Sequence, residues 1–246
     1  MKNWIYILIL GLSFTILSFK YFKYETQQNQ ILSTIIDLKS TDLRLFLKDK
    51  SGINYKNIGN LKKKLDSLNI ELVFAMNAGM FNSDLSPKGL YIEENQIVSK
   101  IDTIVYDYGN FYLQPNGVFF ITNDKHGFIC NTRDFILNSN IKYATQSGPM
   151  LLINSKINSN FNKNSTNLNI RNGVGILKDG RIVFAISNCK INFFDFASYF
   201  KQIGCLNALY LDGFISKIYL PKKNIIQLDG KFGVIIGEIN MRCKNK

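Results

Sequence analysis

The residues that packing alone would not choose sit where apolar runs break. The run Ala208-Leu209-Tyr210-Leu211 passes straight into Asp212-Gly213, and a second hydrophobic stretch, Ile215 to Leu220, follows at once. A carboxylate at the edge of a buried strand is a candidate working group, and the glycine after it lets the backbone turn or approach a ligand closely. Three more glycine-punctuated polar clusters lie upstream: Asn77-Ala78-Gly79-Met80-Phe81, Gln146-Ser147-Gly148-Pro149 and Arg171-Asn172-Gly173-Val174-Gly175. Four such breaks in one chain predict one shared pocket. Arg171, ahead of a Gly-Val-Gly strand start whose small residues leave backbone open, carries a fork of donors suited to phosphate or carboxylate. Asn77 and Asn116 are hydrogen-bonding candidates for sugar or phosphate, with turn formation as the plain alternative. Ser147 has no adjacent base and reads as a binding or turn residue.

What is missing narrows the chemistry. His126 is the single histidine, in the predicted loop Asn123 to Gly127, so a histidine-rich zinc site is excluded and a Ser-His-Asp triad would have to use this one residue. Neither a His-Glu-x-x-His helix nor a phosphate-cradling Gly-x-x-x-x-Gly-Lys-Ser/Thr loop occurs. Carboxylates and one arginine remain. Glu93 and Glu94 bracket a hairpin turn, where a solvent-facing role is the default and one of them a candidate for function. Asp195 stands three residues after Asn192, as a helix-capping residue does.

The elements that must position these groups are mostly hairpins. Gly89–Glu93 with Gln96–Ile101, Val118–Thr122 with Gly127–Cys130, Val174–Leu177 with Arg181–Ser187, and Ile225–Leu228 with Val234–Ile239 all flank short turns. Short connections mean antiparallel pairing. Two helices are predicted, Asn57 to Leu68 feeding a strand at Glu71–Met76, and Phe193 to about Ile203 with Asn192 as N-cap and Gly204 as its stop. The predicted class is α+β, with antiparallel or mixed sheets built from hairpins and packed against a few helices.

With 246 residues, 46% of them hydrophobic, the chain can bury a full core. The predicted organisation is an N-terminal signal or anchor segment, residues 1–24, and one domain, residues 25–246. The run Trp4 to Phe19 follows Lys2 and lacks a small-residue cleavage pattern before Lys20 and Lys23, which favours an uncleaved anchor in the membrane and an extracytoplasmic domain, at the periplasm or cell surface. Cys130, Cys189, Cys205 and Cys243 are too widely spaced for a zinc ribbon or redox pair, and Cys205 reads as core. The net charge of +12 favours an anionic partner, while no nucleic-acid module is present. Lys62-Lys63-Lys64 reads as the wet face of the first helix, opposite Leu61, Leu65 and Leu68.

Taken in order, Asn-Ala-Gly-Met-Phe, Ser-Pro-Lys-Gly-Leu-Tyr (Ser86 to Tyr91), Asn-Phe-Tyr-Leu-Gln-Pro-Asn-Gly-Val-Phe (Asn110 to Phe119), Ala-Thr-Gln-Ser-Gly-Pro-Met-Leu (Ala144 to Leu151), Arg-Asn-Gly-Val-Gly and Gly-Cys-Leu-Asn-Ala-Leu-Tyr-Leu-Asp-Gly (Gly204 to Gly213) resemble the phosphodiester glycosidase family, in its bacterial branch. That family includes the catalytic domain of the uncovering enzyme, which removes a covering N-acetylglucosamine from mannose 6-phosphate. The resemblance runs from about Leu43 to Ile239. It implies hydrolysis of the bond between a sugar's anomeric carbon and a phosphodiester oxygen, in an envelope or extracellular glycan. Asp212 would be nucleophile or base, Arg171 would neutralise the leaving phosphate with Lys217 as a lesser candidate, and Glu93 or Asp84 would supply any second carboxylate. Asn77, Gly79, Phe81, Asn116, Gln146, Ser147, Gly148, Gly213 and Lys217 would bind the anionic glycan or sugar phosphate. No cofactor is required, with room for a magnesium or calcium ion held by carboxylates. Where relatives commonly follow Asp-Gly with small residues, this chain has Phe214 and Lys217. Two alternatives stand: a phosphodiesterase cutting the P–O bond, and a noncatalytic binder of anionic glycans.

Overall fold

The computed structural model describes residues 30–212 and 215–242. Sixteen strands are described, in three sheets, every paired neighbour antiparallel. Sheet one runs β1 (Ile31–Ile36), β12 (Ile182–Ser187), β11 (Asn172–Leu177), β13 (Cys205–Asp212), β9 (Met150–Ile153), β10 (Lys156–Ile157). Sheet two runs β15 (Ile225–Ile226), β14 (Ile218–Leu220), β3 (Ile70–Asn77), β16 (Ile235–Met241), β2 (Asp42–Phe46). Sheet three runs β5 (Gln96–Ser99), β4 (Tyr91–Glu93), β8 (Ile141–Ser147), β6 (Gly117–Thr122), β7 (Gly127–Asn131). With the helices α1 (Ile58–Ser67) and α2 (Phe193–Gln202), the class is α+β.

Period-two patterning sorts each strand between layers. In β13, Leu209 and Leu211 face a central core shared with Phe74 and Met76 of sheet two and Phe119 and Tyr143 of sheet three, while Ala208 and Tyr210 face α2. α2 lays Phe193, Phe196, Ala197 and Phe200 on sheet one, its N-terminus capped by the Asn192 side chain accepting from the Asp195 N–H at 2.8 Å. α1 does the same on sheet two with Ile58, Leu61 and Leu65. Cys205 is buried among the α2 contacts.

Three of the four expected hairpins form; the fourth does not. β15 pairs with β14, and β16 crosses to lie between β3 and β2. The intervening chain is drawn away from a tight turn because Leu228 accepts from the Gly59 N–H at 2.9 Å and Phe232 is buried beneath α1. Likewise, strand pairing after Asp212 begins only at Ile218, because the Ile215 carbonyl and the Lys217 N–H are taken by the Asn77 side chain. Among the described residues no helix is long and apolar enough to cross a membrane, and the expected segment 1–24 lies outside them.

Candidate functional site

Asn77, Ser147, Asn172 and Asp212, one from each polar cluster, all lie at strand ends where the three sheets meet. Asp212 ends β13 opposite Asn172, the first residue of β11. Asn172 accepts from the Asp212 N–H at 3.0 Å through its side-chain oxygen and donates to the Asn77 backbone carbonyl (2.9 Å) and side-chain oxygen (3.0 Å). Asn77 in turn donates Nδ2 to Asp212 Oδ2 at 3.0 Å and accepts from the Lys217 N–H at 2.8 Å. The Asn77 Nδ2 bond gives this buried carboxylate a hydrogen-bond donor and fixes its orientation. Asp212 is 4% exposed, and that remaining surface opens on a cavity of about 570 Å³, within the size range of small-molecule sites.

The cavity wall comes from loops: Met80 to Ser83, Lys88, Tyr108 to Phe111, and Asn167 with Asn169. Asp212 is the one carboxylate among these lining residues. Lys88 is the one cation, its Nζ 4.5 Å from the Tyr112 ring centroid and 5.4 Å from that of Phe111. The two rings hold the ammonium by cation–π attraction without neutralising it. Asp102 and burial together hold the Tyr112 hydroxyl up at about 12, burial being the larger cause, so Tyr112 stays a neutral donor to Asp102 at 3.0 Å. The Asn169 side chain donates to that of Asn167 at 2.7 Å, setting the amide wall.

The sequence-predicted residues divide into lining and support. Phe81 and Asp212 line the cavity. Gln146 is a buried strap, its oxygen accepting from the Leu90 and Asp102 N–H groups at 2.9 Å each and its nitrogen donating to the Asp102 carbonyl at 2.7 Å. Ser147 donates its hydroxyl to the Leu211 carbonyl at 2.8 Å, and Asn116 donates to the Phe111 carbonyl at 3.2 Å. Gly148 lets that same segment close in, since a Cβ there would lie 2.7 Å from the Asn116 Cβ. Gly79 has φ +72° and backs directly onto the Thr145 hydroxyl. Lys217 sends its ammonium to Asp229 at 2.8 Å, outside the cavity lining. Gly213 lies outside the described residues.

Arg171, the Gly-Val-Gly after it, Glu93 and Asp84 take a different shape from the one expected. Arg171 is fully buried and does not line the cavity: Nε donates to the Ile191 carbonyl (2.8 Å), Nη2 to the Asn167 carbonyl (2.8 Å), Nη1 to the Tyr210 hydroxyl (3.4 Å), and the guanidinium lies 3.6 Å from the Phe193 ring centroid. Burial holds its pKa down and that of Tyr210 up. The following Gly-Val-Gly is not open backbone. A Cβ on Gly175 would sit 2.7 Å from Phe200, and one on Gly173 3.1 Å from Phe196, so these glycines admit α2 rather than a ligand. Arg171 thus touches the site through Asn167. Glu93 also lies outside the lining; it accepts from the Tyr91 hydroxyl at 2.6 Å, and burial pushes its carboxyl up. Asp84 is spent on its own turn, accepting from the Ser86 hydroxyl at 2.6 Å. Sequence reasoning missed Lys88, Asn110, Asn167 and Asn169 as lining residues. Lys88, inside Ser-Pro-Lys-Gly-Leu-Tyr, and Asn110, which opens Asn-Phe-Tyr-Leu-Gln-Pro-Asn-Gly-Val-Phe, carried a signal; Asn167 and Asn169 lie in a polar loop where nothing distinguishes a site from a turn.

Comparison with known proteins places this arrangement. The family model described as phosphodiester glycosidase matches residues 71–230, which include Asn77, Lys88, Arg171 and Asp212. The chain belongs to the phosphodiester glycosidase family. It is 39% identical over 165 residues to the uncharacterized protein YigE of Escherichia coli K12, a match covering 66% of this chain and 64% of that protein. The chain therefore spans a little under two thirds of that curated relative's length. Three solved structures share the fold. The zebrafish N-acetylglucosamine-1-phosphodiester alpha-N-acetylglucosaminidase catalytic domain, auto-inhibited by its pro-peptide, aligns with TM-score 0.55 and 14% identity over 85% of this chain and 87% of that one. A hypothetical protein from Synechocystis gives TM-score 0.56, 13% identity, and coverage of 86% and 59%. A putative exported protein of Burkholderia pseudomallei gives 0.54, 10%, and 85% and 73%.

Proposed function

We propose that this phosphodiester glycosidase hydrolyses the glycosidic bond of a sugar 1-phosphodiester in an extracytoplasmic glycan, with Asp212 as its reactive carboxylate. The observation that carries the reading is Asp212 itself: nearly buried, held by Asn77 and Asn172, and open only to a cavity whose one cation is Lys88. In the reaction the bond from the anomeric carbon to the bridging oxygen breaks, and its electron pair leaves with the phosphate. The departing group is a phosphomonoester, whose second pKa of about 6 lets it leave as the dianion without a proton, so it needs charge neutralisation more than a general acid, and Lys88 supplies the charge. Asp212 stabilises the oxocarbenium-like centre, as nucleophile or as base for water. The wall asparagines are donors and acceptors for sugar hydroxyls and an N-acetyl group. The apolar run Trp4 to Phe19 supports a membrane-tethered, extracytoplasmic setting. The reading routes no step through a metal ion, and Asp212 is the one carboxylate of the cavity lining among the described residues.

The test is turnover of a methyl-phospho-N-acetylglucosamine panel by the full chain in oxygen-18 water, with and without chelator. Label in the free sugar, unchanged by chelator, is the expected outcome. Label in the phosphate would replace this reading with P–O cleavage. No turnover across a panel varied in the sugar, with binding intact, would leave a noncatalytic glycan binder.

A further inference from the structure

The strands that bring Asn172 and Asp212 to the cavity have another end. There the β1–β2 turn, the β6–β7 turn, the β11–β12 turn and the start of β13 enclose a second cleft of about 350 Å³. Five residue steps along β11 separate Asn172 from Leu177, so at 3.3–3.4 Å per residue this cleft lies roughly 17 Å from the Asp212 end. Its floor is apolar, with Leu38, Ile129, Ile176 and Leu177. Its rim carries Lys39, Lys125, Lys178 and Arg181 against Asp37 and Asp179.

Both rim acids are already engaged in their own turns. Asp37 accepts from the Lys39 N–H at 2.9 Å, and Asp179 pairs with Arg181 at 2.7 Å while accepting its N–H at 3.1 Å. His126, also on the rim, faces Asp124 at 3.0 Å. No ion pair is found for Lys39, Lys125 or Lys178 among the described residues. Three turns from different parts of the chain thus bring lysines without a close ion pair among the described residues to the rim of one concave apolar floor. A ligand with an anionic group and an apolar face would complement both the rim and the floor. We infer that this cleft is a second ligand site, remote from the Asp212 cavity, which takes a phosphate group; that the phosphate is carried on a glycan rests on the substrate proposed above.

The site is tested by binding, apart from catalysis. Inorganic tripolyphosphate and a trimeric glycosyl-phosphate oligomer are titrated calorimetrically into the full chain carrying Lys88→Ala, which removes the cation of the other cavity, and into the same protein with Lys39→Glu and Lys178→Glu. The expected result is oligomer binding in the first, weakened at least about ten-fold in the second and weakened further by salt, as for exposed charges. Short-diester turnover by Lys39→Glu/Lys178→Glu in the otherwise native chain should be unchanged, along with its melting temperature. Tripolyphosphate binding as tightly as the oligomer would show that the phosphate alone is recognised and would overturn the glycan assignment. Equal oligomer binding by both proteins, or no binding by either, would overturn the site.

Discussion

The two ends of β11 and β13 handle polar groups in opposite ways. At the Asp212 end the polar side chains are buried and cross-tied, so that Asn77, Asn172 and Asp212 each hold another in place. At the turn end the charges are exposed and three lysines stand without ion pairs among the described residues. A buried network costs conformational freedom and desolvation, and returns a fixed geometry suited to chemistry on one bond. Exposed lysines keep their freedom and their water, which suits recognition of charge without a demand for exact placement. Substitutions should therefore be severe at one end and mild at the other.

The sharpest break is Asp212→Asn. It keeps the volume and an oxygen at the site but removes the negative charge, so short-diester turnover should fall by about 10³-fold or more while the melting temperature stays near native. A folded Asp212→Asn protein with near-native turnover would end the assignment. Next comes Asn77→Ala, which strips a donor from Asp212 and leaves Asn172 Nδ2 and the Lys217 N–H short of an acceptor. Each buried orphan costs about 1–3 kcal/mol, so this variant should lose both stability and turnover. Asn77→Asp separates those effects: a second carboxylate against Asp212 would make the pair share a proton and move the rising limb of the rate profile to higher pH. An unshifted profile would mean that Asp212 ionisation is not what the rate reports.

Lys88 and Arg171 sharpen the comparison further, because each is a single cation with a different duty. Lys88→Ala should lower kcat/KM for the diester by about 10–100-fold, the equivalent of one charge-assisted contact of ~1.5–3 kcal/mol, and leave the melting temperature almost unmoved. Arg171→Lys should do the reverse. A lysine cannot reproduce the planar fork that reaches Ile191, Asn167 and Tyr210 together, so thermal stability should drop first and turnover follow as Asn167 loosens. Loss of turnover in Arg171→Lys without loss of stability would return Arg171 to direct contact with the phosphate.

Most of the fold was legible because it rests on local signals. The helix caps, three hairpins and the strand alternation all follow from neighbours in sequence. The fourth hairpin failed because its alternative partners, β2, β3 and β14, lie far away along the chain, and no local pattern ranks a distant edge against a near one. At the candidate site, the glycine-punctuated clusters each bring one polar residue to neighbouring strand ends. Gln146 reads as a ligand contact, Ser147 and Asn116 as binding or turn residues, and all three are buried straps, while Gly173 and Gly175 read as open backbone and are filled by Phe196 and Phe200. Composition shows where backbones come close; it does not show whether a ligand or a neighbouring helix occupies the gap. Arg171 is the same lesson in a charged residue, since a buried guanidinium and a phosphate-binding one look alike in sequence.

Glu93 gives the smallest effect and tests whether burial by itself makes a carboxylate functional. It is pushed up by desolvation, like a catalytic acid, yet it stands outside the cavity and serves the Tyr91 hydroxyl. Its folded pKa is raised above its ordinary value, so below that ordinary value both folded and unfolded chains hold the proton and Glu93 costs nothing. As pH climbs from there through the folded pKa, the unfolded chain releases the proton first, and stability falls until both states are ionised. Glu93→Gln removes that ionisation and keeps an acceptor for Tyr91. At neutral pH its melting temperature should equal or slightly exceed that of the native protein, with the difference vanishing near pH 4, and diester turnover should be unchanged. A large loss of turnover in Glu93→Gln would place a second carboxylate in the chemistry and would break the division between the buried groups that face the cavity and those that only hold its walls.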